Sequence, residues 1–446
     1  MAIQPHELSG PEGPPSDVPR QAGRLGAAAP SAAATAITVY TFLLISRLPE
    51  LVPGLSMFRI ILLVGLAAIA LALMLQPGPV MRRFQSREVY AVGGLLALFI
   101  ITIPTSYWPG ASFGLLLNGY SKVLIFFFLL LYSIRTLTEL KRLGWAFILA
   151  IGTLECAALA AKTGGPVLVT STYDRNDLAF VMICGLPVVV SLWVVARGMA
   201  RWLLLAMSLL ALATIIATQS RGGFVTLVVV APLILFRVPS RVPFMRVGIL
   251  VLGVAFFAAM ASQSYWDRIS TTWSSEGVTD GYLKGGLETA RWELWKTGMG
   301  IVMRNPILGV GAGSFPLAEG ATHAHGKWTA PHNSYIQIAA ELGLGGLALY
   351  LFLLYRTIRN YREVVRLTRP DRRLRYYHRL ASGLEVATYA YIIGALPLSQ
   401  AYSEIFYFLV AVAVLFRHMI HRRLARRAGG AATAPVGLSP LPWWKA

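Results

Sequence analysis

"APHNSYIQIAAELGLGGLALYL", residues 330–351, decides how the rest of the chain is read. From Asn333–Ser334 onward it is an apolar stretch long enough to cross a bilayer as a helix, which takes about twenty residues. Asn333 and Ser334 are residue types that cap a helix N-terminus. Capping would hold the preceding Pro331–His332 pair at a defined point on a membrane surface. A histidine held there is a candidate base, because a neutral imidazole can accept a proton from a hydroxyl.

The composition agrees with a membrane class. Of 446 residues, 56% are hydrophobic and 13% charged, against roughly 25% charged in soluble domains. Forty Lys and Arg against twenty Asp and Glu give a formal net charge of +20. On a soluble chain that excess would suggest nucleic acid; in a membrane chain it can instead set topology. The two cysteines, Cys156 and Cys184, lie in apolar runs and define neither a disulfide framework nor a metal site.

The chain is expected to be an all-α polytopic membrane protein with about twelve spans, at 33–49, 56–76, 88–106, 112–133, 144–163, 177–196, 201–218, 222–238, 246–263, 333–355, 382–400 and 403–420. Residues 1–32 and 421–446 read as cytoplasmic tails, the first a flexible Pro/Gly/Ala-rich segment rather than a cleaved signal peptide. With both termini inside, Arg82, Arg83, Arg87, Arg135, Lys141, Arg142, Arg197, Arg201, Arg237, Arg241, Arg246 and the nine arginines of 356–380 fall on the cytoplasmic side. That asymmetry meets the positive-inside rule, and nucleic acid is no longer needed to explain the charge. The basic loop 356–381 is expected to lie along the anionic inner leaflet. Residues 33–263 thus hold nine spans, and 333–420 hold three. The one large outer connection, 264–332, is where function is expected, in a compartment without ATP or nucleotide-sugars.

Three arginines fall on that outer face. Arg175 lies in "TSTYDRNDLAF", Arg221 in the tight turn of "ATQSRGGFVTL", and Arg291 in "ETARWELWKTG", where Trp292, Trp295 and Met299 recur at helical spacing. The plainer reading of each is headgroup snorkelling or a local ion pair. The functional reading is a fixed anion, since guanidinium binds phosphate oxygens bidentately and several would suit a diphosphate. Asp174 and Asp177 flank Arg175 and are expected to orient it. "NPILGVGAGSF" (305–315) carries Gly309, Gly311 and Gly313. It fails as a dinucleotide fingerprint and reads as a flexible turn, an anion nest or a substrate-covering loop. His323 and His325 lie near His332, but no nearby Cys or HExxH pattern supports zinc, and a metal-free mechanism is expected. Glu341, about two turns into its span, is either an alternative base or a hydrogen-bonded link between helices.

In order, "TQSRGGFVTLVVV", "RWELW…NPILGVGAGSF" and "HNSYIQIAAELGLGGLALYL" resemble the O-antigen ligase and polymerase superfamily, bacterial membrane glycosyltransferases of the GT-C type. The resemblance is strong over 215–351 and weaker at "STYDRNDLAF". It implies a glycan donor on undecaprenyl diphosphate, used at the outer, periplasmic face of the inner membrane without metal, nucleotide or other cofactor. Ligases of the family transfer to a lipid A–core sugar, polymerases to another lipid-linked repeat. Carried over, the family's histidine falls on His332 and its diphosphate-binding arginines on Arg221 and Arg291, with Arg175 a third. Asn333, Glu341, Gly311 and Gly313 are supporting positions. The chain reads "YDRND" where ligases carry an Asn-rich turn.

Two other classes compete. A secondary transporter predicts coupling charges near the midplane and related halves, whereas the unusual residues here lie at outer helix ends. A non-enzymatic assembly subunit would tolerate loss of His332. Within the enzyme reading the ligase is favoured, with an exopolysaccharide or O-antigen polymerase as the alternative.

Overall fold

The computed structural model describes residues 31–52, 54–75, 81–161, 170, 172–237, 251, 255, 289–322 and 328–430. The ninth expected span (246–263), most of the tails, residues 264–288, His323 and His325 lie outside the described residues. Among the described residues all regular structure is helical. In chain order the helices are α1 (Ala32–Ser46), α2 (Leu48–Leu51), α3 (Ile60–Leu75), α4 (Met81–Phe84), α5 (Arg87–Thr102), α6 (Pro109–Leu115) and α7 (Ser121–Ser133). They continue with α8 (Leu137–Ala160), α9 (Arg175–Trp193), α10 (Met199–Ala217), α11 (Arg221–Arg237), α12 (Thr289–Arg304), α13 (Phe315–Thr322), α14 (Ser334–Thr368), α15 (Arg375–Gly394) and α16 (Glu404–Gly430). A π-helical turn, Leu116–Tyr120, joins α6 to α7.

Several starts are fixed by side chains that satisfy orphan amides. Ser31 caps α1 and Ser86 caps α5. Thr136 with Glu139, and Asp174 with Asp177, form capping boxes at α8 and α9. Seven helices among the described residues are long and apolar enough to cross a membrane. Four further expected spans fall on α1, α5, α11 and α15. The first three have 15, 16 and 17 residues, and α15 carries Arg379 and Glu385.

The bundle has two chemically distinct ends. At one, Ser31 N–H donates to Glu139 (3.2 Å), Arg356 pairs with Glu88 (2.8 Å), and Arg237 grips the buried Glu385 through both guanidinium amines (2.8 and 2.5 Å). At the other, Arg47 pairs with Glu404 (2.8 Å) and Gln400 donates to Asp177 (2.6 Å). The starts of α9, α11 and α14 all lie at this second end.

Inside a bilayer the hydrophobic effect does not drive helices together, so close backbone approach and interhelical hydrogen bonds must. Gly383 of α15 provides the first: a Cβ there would lie 2.8 Å from the Val188 Cα and 2.9 Å from the Pro187 carbonyl of α9. Buried tyrosines provide the second. Tyr120 and Tyr407 share a 2.7 Å hydrogen bond, Tyr350 and Tyr391 one of 2.9 Å, and Tyr391 donates onward to the Gln400 carbonyl at 2.6 Å.

Two expectations are corrected here. The basic segment 356–381 is helical for most of its length rather than a loop. Residues through Thr368 continue α14, and Arg375 begins α15. Arg356 is buried because Glu88, with Asn360 hydrogen-bonded to the same oxygen (2.9 Å), neutralises it. The span beginning at Ser334 is not continuous either. Gly343 (φ 73°) interrupts α14, and the freed groups are met by the 305–311 turn. Val310 and Gly311 N–H donate to the Ala340 and Glu341 carbonyls (2.8 and 3.0 Å), and Leu344 N–H donates to Pro306 (2.8 Å). Irregular backbone at depth persists where protein satisfies it in this way. A side chain at Gly343 would overlap the Ile307 carbonyl. Gly343→Ala is therefore expected to destabilise the protein by about 2–4 kcal/mol, from left-handed strain plus overpacking. A lowered thermal midpoint of purified protein checks it; an unchanged midpoint would mean that the turn does not fix the break.

Candidate active site

The site is built from helix starts. Asp174 caps α9, accepting from Asn176 and Asp177 N–H (2.6 and 2.8 Å), which makes Arg175 the first residue of that helix. Ser220 accepts from Gly223 N–H (3.1 Å), so Arg221 opens α11. The Ser220 hydroxyl also donates to Asn176 at 2.8 Å, locking the two starts together and bringing Arg175 and Arg221 onto neighbouring helix ends. Gly222 and Gly223 permit this: a Cβ on Gly223 would lie 2.9 Å from Ala179 of α9, and one on Gly222 3.2 Å from Pro397.

The start of α14 completes the arrangement. Asn333 is buried and accepts from Tyr335 and Ile336 N–H (2.9 and 3.0 Å). Ser334 is stapled to the turn before α16, donating to the Leu398 carbonyl (2.7 Å) and accepting from Gln400 N–H (2.8 Å). Between these fixed points His332 takes a left-handed backbone, φ 46°, which costs a non-glycine residue about 1–2 kcal/mol. Trp295 of α12 helps to hold it by donating its indole N–H to the Pro331 carbonyl (3.1 Å). Strain held by surrounding bonds is characteristic of functional positions.

Arg291, on the same helix as Trp295, lines a narrow cleft with Asn176, Ser220, Gly222 and Pro397. All three arginine-bearing elements therefore meet there. The cleft encloses about 10 Å³, room for one water. Asn176 and Gly222 lie in the first turns of α9 and α11, and helix starts favour an anion.

The charges are coupled. Burial pushes His332 below the ordinary imidazole range, the Arg291 charge pushes it further, and Asp174 opposes both. Burial likewise lowers Arg291, with Asp174 raising it and Arg175 lowering it. Burial and Arg291 thus both favour the neutral imidazole, the form that can accept a proton. If His332 takes a proton in the reaction, activity is full above its pKa and lost as pH falls through it. The acid limb of the rate profile is therefore expected below the ordinary imidazole range. Arg291→Gln should move the limb up and Asp174→Asn, which still caps α9, should move it down. A limb that stays in place in both variants would contradict the coupling.

Other candidate residues lie beside this arrangement rather than in it. Glu341 is buried at the break in α14. Tyr402 donates to it at 2.8 Å, and the Gly313 and Phe315 N–H groups donate as well, so it is a link between helices and turn. Gly309, Gly311 and Gly313 all have positive φ (69°, 92° and 72°). Because the Val310 and Gly311 amides are spent on α14 and the Gly313 amide on Glu341, the turn packs against α14 and is not an open nest. Ser106, Ser112 and Ser314 stitch it to the end of α5 and the start of α6 through 2.7 Å hydroxyl contacts. Asp174 and Asp177 serve as caps and, for Asp177, as acceptor for Gln400. Among the described residues no three His, Cys, Asp or Glu side chains gather as a metal-ligand set. Asn176, Ser220, Trp295 and Gln400 were not singled out from the sequence for these roles. Ser220 carries a local signal, as a serine at a helix start, and Trp295 one only for helical spacing.

The described chain is therefore a polytopic helical membrane protein with a cationic, histidine-bearing face at one end of its bundle. Residues 205–351, about a third of the chain, match the family model described as O-antigen ligase, which supports the resemblance to the O-antigen ligase and polymerase superfamily. The matched segment includes Arg221, Arg291, Asn333, Glu341 and His332. The apolar helices and this family identify a bacterial membrane protein. No curated protein matches the chain.

Proposed function

We propose that the protein is a glycosyltransferase of the O-antigen ligase type. It moves a glycan from undecaprenyl diphosphate to a hydroxyl of lipid A–core at the outer face of the inner membrane, with both termini cytoplasmic. The family match supports a glycosyltransferase-type activity on lipid-linked glycans. The observation that carries the proposal is the meeting of three arginine-bearing elements, with a strained histidine at a helix start on the same face, opposite the arginine-rich end.

In the proposed reaction Arg175, Arg221 and Arg291 hold the diphosphate across the cleft mouth. The bond between the sugar anomeric carbon and the phosphate oxygen breaks, and its electron pair leaves with undecaprenyl diphosphate. Preorganised cations stabilise that developing charge without reorganising at the moment of reaction. The acceptor oxygen bonds to the anomeric carbon, and its proton passes to His332. Asn333 and Trp295 fix the base. Neither metal nor nucleotide enters this sequence.

The test is transfer by the purified protein in proteoliposomes, given a lipid-diphosphate glycan and lipid A–core, with chelator present. Glycosylated core and released undecaprenyl diphosphate are expected. Lengthened lipid-linked glycan instead would identify a polymerase, and flux of glycan lipid without transfer a transporter.

A further inference from the structure

At the bundle end opposite the candidate active site, the last turn of α11, the last turn of α14 and the first turns of α15 enclose a second cleft of about 520 Å³. That volume is in the range of small-ligand sites, roughly 300–1,000 Å³. Arg237, Arg369, Arg372, Arg375 and Arg379 line it. Arg237 is paired with Glu385, which Arg362 also engages, and the acid on the wall, Asp371, is engaged by Arg427. The field in the cleft is therefore positive, with Arg369, Arg372, Arg375 and Arg379 its main sources. Arg379 donates one amine to the Arg237 carbonyl (3.2 Å), while its buried Nε has no hydrogen-bond partner among the described residues. Arginines gathered at this density repel one another and destabilise the fold unless an anion joins them.

The wall is also amphipathic. Phe236, 73% exposed, stands at the cleft, and Val225, Val228 and Val229 are exposed further along α11. An apolar track thus runs along the helix into a cationic pocket.

We propose that this cleft binds the phosphate of an anionic phospholipid headgroup, with an acyl chain lying along α11. Guanidinium forks match phosphate oxygens, and basic pockets between membrane helices take such headgroups. The site is separate from the transfer chemistry. It draws on the basic segment that sequence reading assigned to the leaflet surface, but as a built pocket with one face.

The experiment is a thermal-shift titration of the full-length protein in detergent with phosphatidylglycerol, phosphatidylcholine or inorganic phosphate. Phosphatidylglycerol is expected to raise the midpoint saturably and phosphatidylcholine to leave it unchanged. The exposed triple Arg369→Ala, Arg372→Ala, Arg375→Ala should need at least about tenfold more phosphatidylglycerol, from loss of charge-assisted bonds. The control triple Arg359→Ala, Arg366→Ala, Arg373→Ala removes equal charge from the same segment outside the cleft, and should shift the titration by less than about twofold. Arg375→Gln alone, a milder change, should shift it in the same direction as the cleft triple. Equal losses in both triples would mean diffuse attraction and overturn the site. Protection by inorganic phosphate equal to that by phosphatidylglycerol would assign a soluble phosphate ligand and overturn the lipid.

Discussion

His332→Ala is expected to lower glycan transfer by about 10²- to 10⁴-fold, the usual contribution of a positioned general base, while leaving the protein folded in the membrane. The residue's left-handed backbone allows a sharper version of the test. Asparagine tolerates φ near 46° better than alanine does and keeps hydrogen-bonding capacity, yet it does not titrate. His332→Asn should therefore be as inactive as His332→Ala if the imidazole takes the proton. If His332→Asn transfers at nearly the wild-type rate, His332 only positions the substrate. The base must then be sought elsewhere, with Glu341 as the first alternative despite its bonds to Tyr402, Gly313 and Phe315.

Arg291→Ala should have the second-largest effect, about 10²- to 10³-fold, comparable to removing one preorganised donor from a developing anion. Charge on the leaving diphosphate grows as the glycosidic bond breaks, so the loss should appear mainly in kcat. Arg291→Lys keeps a point charge but loses the planar fork, and should fall between alanine and wild type. A rise in KM alone would mean that Arg291 holds the donor equally in ground and transition states. Arg291 is the strongest of the three arginines for this test. It lines the cleft, its helix carries the Trp295 contact to Pro331, and its charge acts on His332.

How much of this was legible in the sequence depends on whether the cause is local. Helix starts were readable at Asn333 and in the Arg221 turn, because capping is settled within four residues. The helical spacing of Trp292, Trp295 and Met299 correctly indicated α12. The break in α14 was not readable, since a glycine in an apolar run ordinarily passes as helix. What bends Gly343 is the carbonyl and amide pattern of residues 306–311, about thirty positions upstream. The same holds for Arg356, read as part of a surface loop because its partner, Glu88, lies 268 residues away. Glu341 announced itself as an ionisable group inside an apolar stretch, but its partner Tyr402 carried no signal. The candidate site was legible as a set of residue types on one face. Its assembly through Ser220–Asn176 and Gln400–Asp177 depends on contacts that no spacing encodes.

The central claim is that a neutral His332 beside arginine-held diphosphate performs transfer. Its most direct test is the attachment of surface glycan in a strain lacking this gene, complemented with the wild-type chain or with His332→Asn at equal membrane levels. Wild type should restore long chains on lipid A–core, while His332→Asn should leave them stranded on the lipid carrier. Full restoration by His332→Asn would contradict the account.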